Sequence, residues 1–195
     1  ICTAYGRPEV VVIQKVDRPT PARGEVLVRV RATTVTSADS RLRRADPALT
    51  RLVNGLFRPR RWARLGSTFS GEVVACGPGA ARFQLGERVF GATGMRLGAH
   101  AEYVCLEEAG AITRLPDQLS HEQGAALPFG GLASHFFLRR AAIQPGQRVL
   151  VYGASGSLGT AGVQLARAAG AVVDGVCSAA NAALVQSLGA ARVFD

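Results

Sequence analysis

The stretch RVLVYGASGSLGTAGVQLARAAG, residues 148–170, decides the fold of this chain. It begins with a short apolar run that ends at Gly153, and the glycine pattern GASGSLG follows at once. An apolar run of this length predicts a strand buried on both faces of a parallel sheet. Val163 and Ala166 follow at helical spacing and predict a helix that packs against that strand.

The glycines of this turn meet three separate requirements. Gly153 permits the sharp turn, Gly156 lets backbone N–H groups approach a pyrophosphate, and Gly159 allows the helix to pack closely on the strand. The start of the helix adds free N–H groups and a partial positive charge. The alternative is a glycine-rich turn without a ligand. A second strand over 171–177, a helix over 181–188 and a third strand over 192–194 favour the dinucleotide interpretation. We therefore predict a cofactor-binding turn formed by Gly153, Ala154, Ser155, Gly156, Ser157, Leu158 and Gly159.

The choice of cofactor depends on the end of the second strand. NAD specificity needs a carboxylate there to hold the ribose hydroxyls, but the strand ends at Cys177 and Ser178. Asp174 lies inside the strand, where it is a poor ribose ligand, and residues 178–191 contain no Lys or Arg for a 2′-phosphate. Losing the carboxylate removes a repulsion against NADPH without adding an attraction. We expect NADPH to be modestly preferred over NADH, with Cys177 and Ser178 beside the cofactor.

The first part of the chain has a different pattern. Runs rich in β-branched residues occupy 9–16, 25–33, 70–76 and 86–90, separated by Pro and Gly turns, and predict the short strands of a barrel-like domain. After Leu115 the pattern predicts one helix over 121–126 and another over 132–142. Residues 144–146 then form the turn into the nucleotide-binding part.

Four further segments carry a family resemblance. RPTPARGEVLVRVRATTVTSADSRLR (18–43), GSTFSGEVVACGPGAARFQLGERVFG (66–91), GAHAEYVCLEEAGAITRLPDQLS (98–120) and the run from LPFGG (127–131) to the end resemble the medium-chain dehydrogenase/reductase family, particularly its zinc-independent quinone-reductase-like branch. The resemblance implies an α/β plus mostly-β fold. A GroES-like catalytic domain would occupy 1–115, connecting helices 116–145, and the N-terminal half of a Rossmann NAD(P)-binding domain 146–195.

Length sets an expectation about stability. A doubly wound nucleotide fold has six parallel strands, and this chain reaches only the third. We therefore expect the sequence to be the N-terminal portion of a longer protein, whose full-length form the resemblance implies to be a homodimer. A half-sheet exposes strand edges and apolar faces. We expect the chain alone to be poorly stable or to associate.

The implied activity is NAD(P)H-dependent reduction of a quinone or another conjugated carbonyl acceptor without zinc. No metal site is expected: Thr36–Asp39 and Gly66–Thr68 occupy the places of the zinc ligands in zinc-dependent relatives. The four cysteines are dispersed without a CxxC pair, and we expect them to be small buried residues of a reduced, cytoplasmic protein.

Three hydroxyl groups are candidates for the reaction site. Thr36 and Ser37 lie where relatives often have an Asn, and they could donate hydrogen bonds to a developing oxyanion; equally, they could cap a local turn. Relatives also place a Thr near the nicotinamide, where this chain has Ala133. Ser134, the next residue, is the candidate replacement, although adjacent helical residues point in different directions.

The positive charge of the chain suggests further classes of function. The net charge is +9, and residues 41–64 contain eight arginines interrupted by Leu52, Phe57 and Trp62. This segment is interpreted as a solvated helix face or lid, with attraction of an anionic substrate or cofactor, and then of nucleic acid, as weaker alternatives. Because the solvated face or lid is the favoured interpretation, we expect no nucleic-acid partner. The chain has no sustained run of about 18 apolar residues, so we expect no membrane partner either. A non-catalytic nucleotide-binding relative or inactive fragment, and more weakly a zinc-type alcohol dehydrogenase, remain alternative functions.

Overall fold

The computed structural model describes residues 1–195. The chain divides into two compact units, Ile1–Ala126 and Leu127–Asp195. None of its helices is both long and apolar enough to cross a membrane.

The first unit is built on a five-stranded antiparallel sheet. Its elements are β1 Glu25–Thr33, α1 Ser37–Arg44, α2 Thr50–Asn54, β2 Thr68–Cys76, β3 Arg88–Ala92, β4 Tyr103–Glu107 and β5 Ile112–Arg114. The strands lie in the order β4-β1-β2-β3-β5, and the two short helices connect β1 to β2. Val26 and Val28 of β1 alternate into the core with Phe69, Val73 and Val89 from the neighbouring strands, because successive strand residues point to opposite faces.

Three of the four strands predicted in this unit are confirmed, and one prediction is wrong. Residues 25–33 form β1, and the predicted strands at 70–76 and 86–90 correspond to β2 and β3 with bounds shifted by up to two residues. Residues 9–16 form no strand: a 3-10 turn covers Pro8–Val10, and only an isolated bridge joins Val11 to Cys2. β-Branched residues favour a strand only where a partner strand receives them, and Ile13 is fully exposed.

One long helix, α3, replaces the two helices predicted after Leu115. It runs His121–Arg140 with Pro128 in its interior. Proline removes a single backbone hydrogen bond and its ring crowds the carbonyl four residues earlier, at Gly124. The turns on either side keep their own hydrogen bonds, so the helix continues through a residue that the sequence pattern treats as a break.

The second unit contains a three-stranded parallel sheet. Its elements after α3 are β6 Arg148–Tyr152, α4 Ser157–Ala168, β7 Val172–Val176, α5 Ala182–Ser187 and β8 Arg192–Phe194. The strands lie in the order β6-β7-β8. Val163 and Ala166 of α4 pack with Val173 of β7 and Val185 of α5. An antiparallel sheet followed by a parallel βαβαβ segment is the predicted fold class, with the second segment forming the start of a Rossmann domain.

Strand β6 departs from its prediction on one face. It was expected to be buried on both faces, but its residues alternate between exposed and half-buried. The helices α4 and α5 cover only the face to which Val149 and Val151 contribute. Leu150 and Tyr152 lie on the other face, and Tyr152 is 87 % exposed. Burial on both faces requires a helical layer on each side of the sheet, and the described residues supply one layer.

Candidate functional site

The glycine turn connects β6 to α4. Gly153 has φ of +71°, in the left-handed region that only glycine adopts at little cost. The chain then passes through Ala154 and Ser155 to Gly156, whose N–H donates to the carbonyl of Gly153 at 3.0 Å. Gly156 is the N-cap of α4 and no side chain caps the helix. The first-turn N–H groups of α4, beginning at Ser157, are therefore available to an anion.

The helix starts unusually close to the turn. A Cβ on Gly159 would lie 2.6 Å from the Cα of Ala154 and closer still to the carbonyl oxygen of Gly153. From the other side, a Cβ on Gly130 of α3 would lie 2.7 Å from the Oγ of Ser157. Because Gly159 and Gly130 have no side chain, the glycine turn, the start of α4 and the middle of α3 can pack closely together. This is the packing role predicted for Gly159; the role of Gly130 was not predicted.

The end of β7 lies at the same edge of the sheet as the turn. Tyr152 and Val176 are paired across β6 and β7, so the residues after each strand are neighbours. The N–H of Ala154 donates to the carbonyl of Val176 at 2.9 Å. Cys177 is buried and its N–H is bonded to Phe194. Ser178 is exposed, and its Oγ accepts a hydrogen bond from Asn181 at 3.1 Å.

The carboxylate of Asp174 is occupied by two arginines. Its oxygens accept from Arg148 at 2.6 Å and from Arg192 at 2.7 Å and 3.1 Å. Hydrogen bonding from Arg192, assisted by Arg148, lowers the pKa of Asp174 to about 2. Asp174 thus pairs with one arginine from each flanking strand, Arg148 of β6 and Arg192 of β8. This agrees with its interpretation as a poor ribose ligand.

Ser134 does reach the turn region, through a backbone contact. Its buried Oγ donates to the carbonyl of Leu158 at 2.7 Å, which ties α3 to the first turn of α4. The hydroxyl hydrogen is used in this bond, so Ser134 positions the helix in the structure as described. Leu158 itself is 44 % exposed beside the turn.

Thr36 and Ser37 lie in the first unit, at the start of α1. Thr36 is the N-cap of α1, and both its N–H and its hydroxyl donate to Oδ2 of Asp39, each at 2.8 Å. The other carboxylate oxygen of Asp39 accepts from the N–H of Gly66 at 2.8 Å. Of the two interpretations of Thr36, turn capping is therefore the one that has a hydrogen bond in the structure, whereas Ser37 is exposed.

Asp39 is the residue that organises this corner, and sequence reasoning did not assign it that role. It is 2 % exposed and joins the α1 turn to the Gly66 segment. Next to it, the Nε2 of His100 lies 3.1 Å from the carbonyl of Thr34. The signal was available, since a Thr followed three residues later by an acidic residue is the pattern of a helix capping box.

A second polar pair lies where α3 meets the sheet of the first unit. The Oγ of Ser70 lies 2.9 Å from Nδ1 of His121 and donates to the carbonyl of Val89 at 3.0 Å. Because the single hydroxyl hydrogen goes to Val89, the histidine must supply the proton of the other bond. Burial, and then the positive charge of Arg88, lower the pKa of His121.

The cysteines and histidines form no metal-binding cluster. No group of three or more His, Cys, Asp and Glu side chains is arranged to hold a metal ion. Cys2 and Cys177 are buried and Cys105 is half-buried, whereas Cys76 is exposed. The prediction that all four are buried is wrong for Cys76, which closes β2 at its solvent-facing end.

Sequence comparison identifies relatives for the whole chain. The alcohol dehydrogenase GroES-like domain model matches residues 22–117. A quinone oxidoreductase from Pseudomonas aeruginosa is 35 % identical over 98 % of this chain and 56 % of its own length. The enoyl reductase component lovC of the lovastatin nonaketide synthase of Aspergillus terreus is 32 % identical over 99 % of this chain and 55 % of its own length. The chain therefore spans a little over half the length of these relatives.

Solved structures support the same relationship. The quinone oxidoreductase from Coxiella burnetii superposes with a TM-score of 0.85 at 28 % identity, over 100 % of this chain and 61 % of its own. The Escherichia coli quinone oxidoreductase complexed with NADPH superposes with a TM-score of 0.77 at 28 % identity, over 99 % and 57 %. With the GroES-like sheet, the glycine turn and the parallel βαβαβ segment, these similarities show that the chain belongs to the medium-chain dehydrogenase/reductase superfamily, in its quinone oxidoreductase-like branch.

Proposed function

We propose that this chain is the N-terminal part of an NAD(P)H-dependent oxidoreductase that transfers hydride to a quinone or another conjugated carbonyl acceptor. The observation that carries the proposal is the uncapped start of α4 behind Gly153 and Gly156, at the carboxyl edge of a parallel sheet. In doubly wound folds this is where a dinucleotide pyrophosphate binds. The activity of the relatives, which extend well beyond this chain, is consistent with that assignment.

The geometry of the turn fits a dinucleotide. Gly156 and Ser157 are exposed, so backbone N–H groups can approach a diphosphate directly. Ser178 follows the neighbouring strand with a hydroxyl rather than a carboxylate, and the nearest carboxylate in β7, Asp174, is held by two arginines. The end of β7 therefore carries no free carboxylate that would oppose a 2′-phosphate beside Ser178. These features support a modest preference for NADPH over NADH.

Acceptor chemistry follows from the groups that this chain can offer. Bound NAD(P)H would supply the hydride. Addition of hydride to a quinone or enone leaves an anion that the acceptor spreads over its own π system, and hydrogen-bond donors near the oxyanion then stabilise it further. Ser37, exposed at the start of α1, is the freer donor, while Thr36 must first release its bond to Asp39. Protonation of the anion completes the reduction.

The test of the proposal begins with binding. The chain is titrated with NADPH and separately with NADH while its thermal unfolding is followed, since a ligand that binds only the folded form raises the melting temperature. We expect saturable stabilisation, larger with NADPH. NADPH oxidation is then measured with a panel of quinones and enones, using both this chain and a form extended to the length of the relatives.

A pair of glycine variants makes the test specific. Gly156→Ala adds a methyl group 3.3 Å from the Gly153 carbonyl, which the turn can accommodate but which occupies the approach to the phosphate. Gly162→Ala, on the same helix, meets no atom closer than 3.8 Å and serves as the control. We expect Gly156→Ala to weaken NADPH binding at least tenfold, as for a lost backbone–phosphate contact of about 1.4 kcal/mol. Equal binding by wild type and Gly156→Ala would contradict a pyrophosphate site at this turn.

A second function, nucleotide binding without turnover, is favoured by a separate observation. The hydroxyls of Thr36 and Ser134 are both used in internal hydrogen bonds. If these bonds persist in the extended protein, fewer donors face the acceptor. Tight NADPH binding by the extended form, with no NADPH oxidation by any conjugated acceptor, would establish this second function instead.

A further inference from the structure

The helix α2 and the turn after it expose an apolar stripe to solvent. The stripe consists of Leu49, Leu52, Val53, Leu56 and Phe57, whose side chains are between 55 % and 88 % exposed. Leu49, Leu52 and Val53 are separated by three and four residues, so they share one face of the helical turn. An amphipathic helix on a globular protein normally directs such a face inward. Here the arrangement is inverted.

The inversion is held in place by polar contacts on the inner side. Asn54 is 1 % exposed, and its Oδ1 accepts from the N–H of Trp62 at 2.8 Å. The indole N–H of Trp62 donates to the carbonyl of Met95 at 2.9 Å, and the hydroxyl of Tyr5 donates to the carbonyl of Gly55 at 2.7 Å. These bonds attach both ends of the turn that follows α2, at Asn54–Gly55 and at Trp62, to the rest of the first unit. The outward direction of the stripe is therefore built into the structure.

The segment that carries the stripe is rich in arginines, and none of them forms an ion pair within the chain. Residues 41–64 contain eight arginines and a single acidic residue, Asp46. The ion pairs of the chain all use arginines outside this segment, Arg31, Arg96, Arg114, Arg148 and Arg192. Within it, Arg43 is buried and donates to the carbonyl of Gly6, and Arg51 and Arg61 lie over the rings of Tyr5 and Trp62. The side chains of Arg41, Arg44, Arg58, Arg60 and Arg64 remain exposed.

A partner for this surface has to accept both features at once. A second copy of the chain would bring its own net charge of +9 to this arginine-rich surface, which disfavours a contact there. Nucleic acid would meet the arginines through its phosphates but offers no apolar environment to the leucines and Phe57. The surface of an anionic lipid bilayer offers phosphate headgroups to the arginines and an acyl boundary a few ångströms deeper to the apolar side chains.

We propose that residues 41–64 form a peripheral binding surface for anionic lipid bilayers, with the stripe entering the headgroup region and the arginines contacting the headgroups. Surface attachment of this kind needs no membrane-spanning helix. The proposal revises the expectation of no membrane partner, which rested on the absence of a long apolar run. It concerns binding alone and stands independently of the proposed hydride transfer.

The experiment measures sedimentation of the 195-residue chain with lipid vesicles. One set of vesicles is pure phosphatidylcholine and the other contains roughly one-third phosphatidylglycerol. We expect binding only to the anionic vesicles, and weaker binding as salt is raised. Each arginine removed from the surface should weaken binding about fivefold, which corresponds to about 1 kcal/mol per residue. Arg44→Gln with Arg58→Gln should thus weaken it about 25-fold.

Matched variants separate this surface from the rest of the molecule. The control for charge is Arg7→Gln with Arg23→Gln, which removes two exposed arginines of the same unit. Leu52→Ser, at 71 % exposure, tests the stripe, and Leu85→Ser, at 68 % exposure, is its control. The controls should bind like wild type and Leu52→Ser at least tenfold more weakly, as expected when a leucine no longer leaves water. The four variants change only exposed residues, and circular dichroism of these variants and of the wild type checks that each chain is folded.

Three outcomes would overturn the proposal. The first is no binding to anionic vesicles by the wild-type chain. The second is binding that Arg44→Gln with Arg58→Gln and Leu52→Ser leave unchanged, since another surface of the chain would then be responsible. The third is concentration-dependent association of the wild type that Leu52→Ser abolishes in sedimentation velocity, which would assign the stripe to a contact between copies.

Discussion

The closeness of α4 to the glycine turn makes a sharp prediction for Gly159→Ala. A Cβ at this position would lie 2.6 Å from the Cα of Ala154, with the Gly153 carbonyl oxygen nearer still, and real Cβ atoms essentially never approach another atom within 3.0 Å. Both neighbours are backbone atoms, so no side-chain rotation relieves the clash. The start of α4 must move away from β6 by at least a few tenths of an ångström.

The magnitude follows from two opposing terms. Overpacking a well-packed site costs about 1–3 kcal/mol, and a backbone clash belongs at the upper end of that range. Alanine in place of glycine inside a helix returns about 1 kcal/mol. We therefore expect Gly159→Ala to lower the free energy of unfolding by about 2 kcal/mol, which for a unit of this size lowers the melting temperature by about 10 °C.

Gly162→Ala provides the matched control, three residues further along the same helix. Its Cβ would meet Val151 Cγ1 at 3.8 Å and Ser134 Oγ at 3.9 Å, both ordinary contacts. Only the helix-propensity term applies, so this variant should be more stable than wild type by about 0.8–1 kcal/mol. The two alanine variants should differ by about 3 kcal/mol.

The assay is thermal and urea unfolding of the three chains, followed by circular dichroism, with and without NADPH. Gly159→Ala should lose both stability and the shift produced by NADPH, because displacement of α4 moves its N–H groups away from the phosphate. If Gly159→Ala is as stable as Gly162→Ala and binds NADPH equally well, the close approach of α4 to the turn is wrong.

Three further predictions concern polar side chains that are held in hydrogen bonds or ion pairs. Asp39→Ala removes the acceptor of three hydrogen bonds and should lower the free energy of unfolding by about 3 kcal/mol. Asp39→Asn should lower it by about half as much in the same urea titration. Equal stability of wild type and both variants would contradict the organising role of Asp39. His121 has a lowered pKa in the folded chain, so the unfolded chain binds the proton more readily, and wild type should lose stability as pH falls below 6.5. His121→Gln should lose less over the same range, and parallel stability–pH curves would refute this. Asp174, with a pKa lowered to about 2, should stabilise wild type relative to Asp174→Asn above pH 3.8, and this advantage should disappear as pH falls toward 2; a constant difference in melting temperature would count against the two arginine contacts.

Local sequence determined the strands and helices from Arg148 to Phe194 nearly completely. The run from Arg148 to Tyr152, the glycines at 153, 156 and 159 and the helical spacing of Val163 and Ala166 predict a strand, a turn and a helix, and the structure forms each of them in place. These elements depend on contacts between residues close in sequence, since the helix packs on the strand that precedes it. A short-range pattern is sufficient where the interactions are short-range.

Other features required contacts between residues far apart in sequence. Residues 9–16 have strand composition but find no partner strand, and Pro128 lies inside a helix that its neighbours sustain. Asp39 becomes an organising residue only because Gly66 is folded against it, 27 positions along the chain.

Tertiary packing also determines which side chains point toward solvent. The exposed face at Tyr152 depends on how many helical layers cover the sheet, and the outward stripe around Leu52 depends on Asn54 being held by Trp62. Composition reveals that residues 41–64 are both basic and apolar, but not which side of α2 is buried. Sequence by itself therefore determined the kind of element and the chemistry of the turn, while the packing of distant residues decided which groups face solvent and which are already bonded.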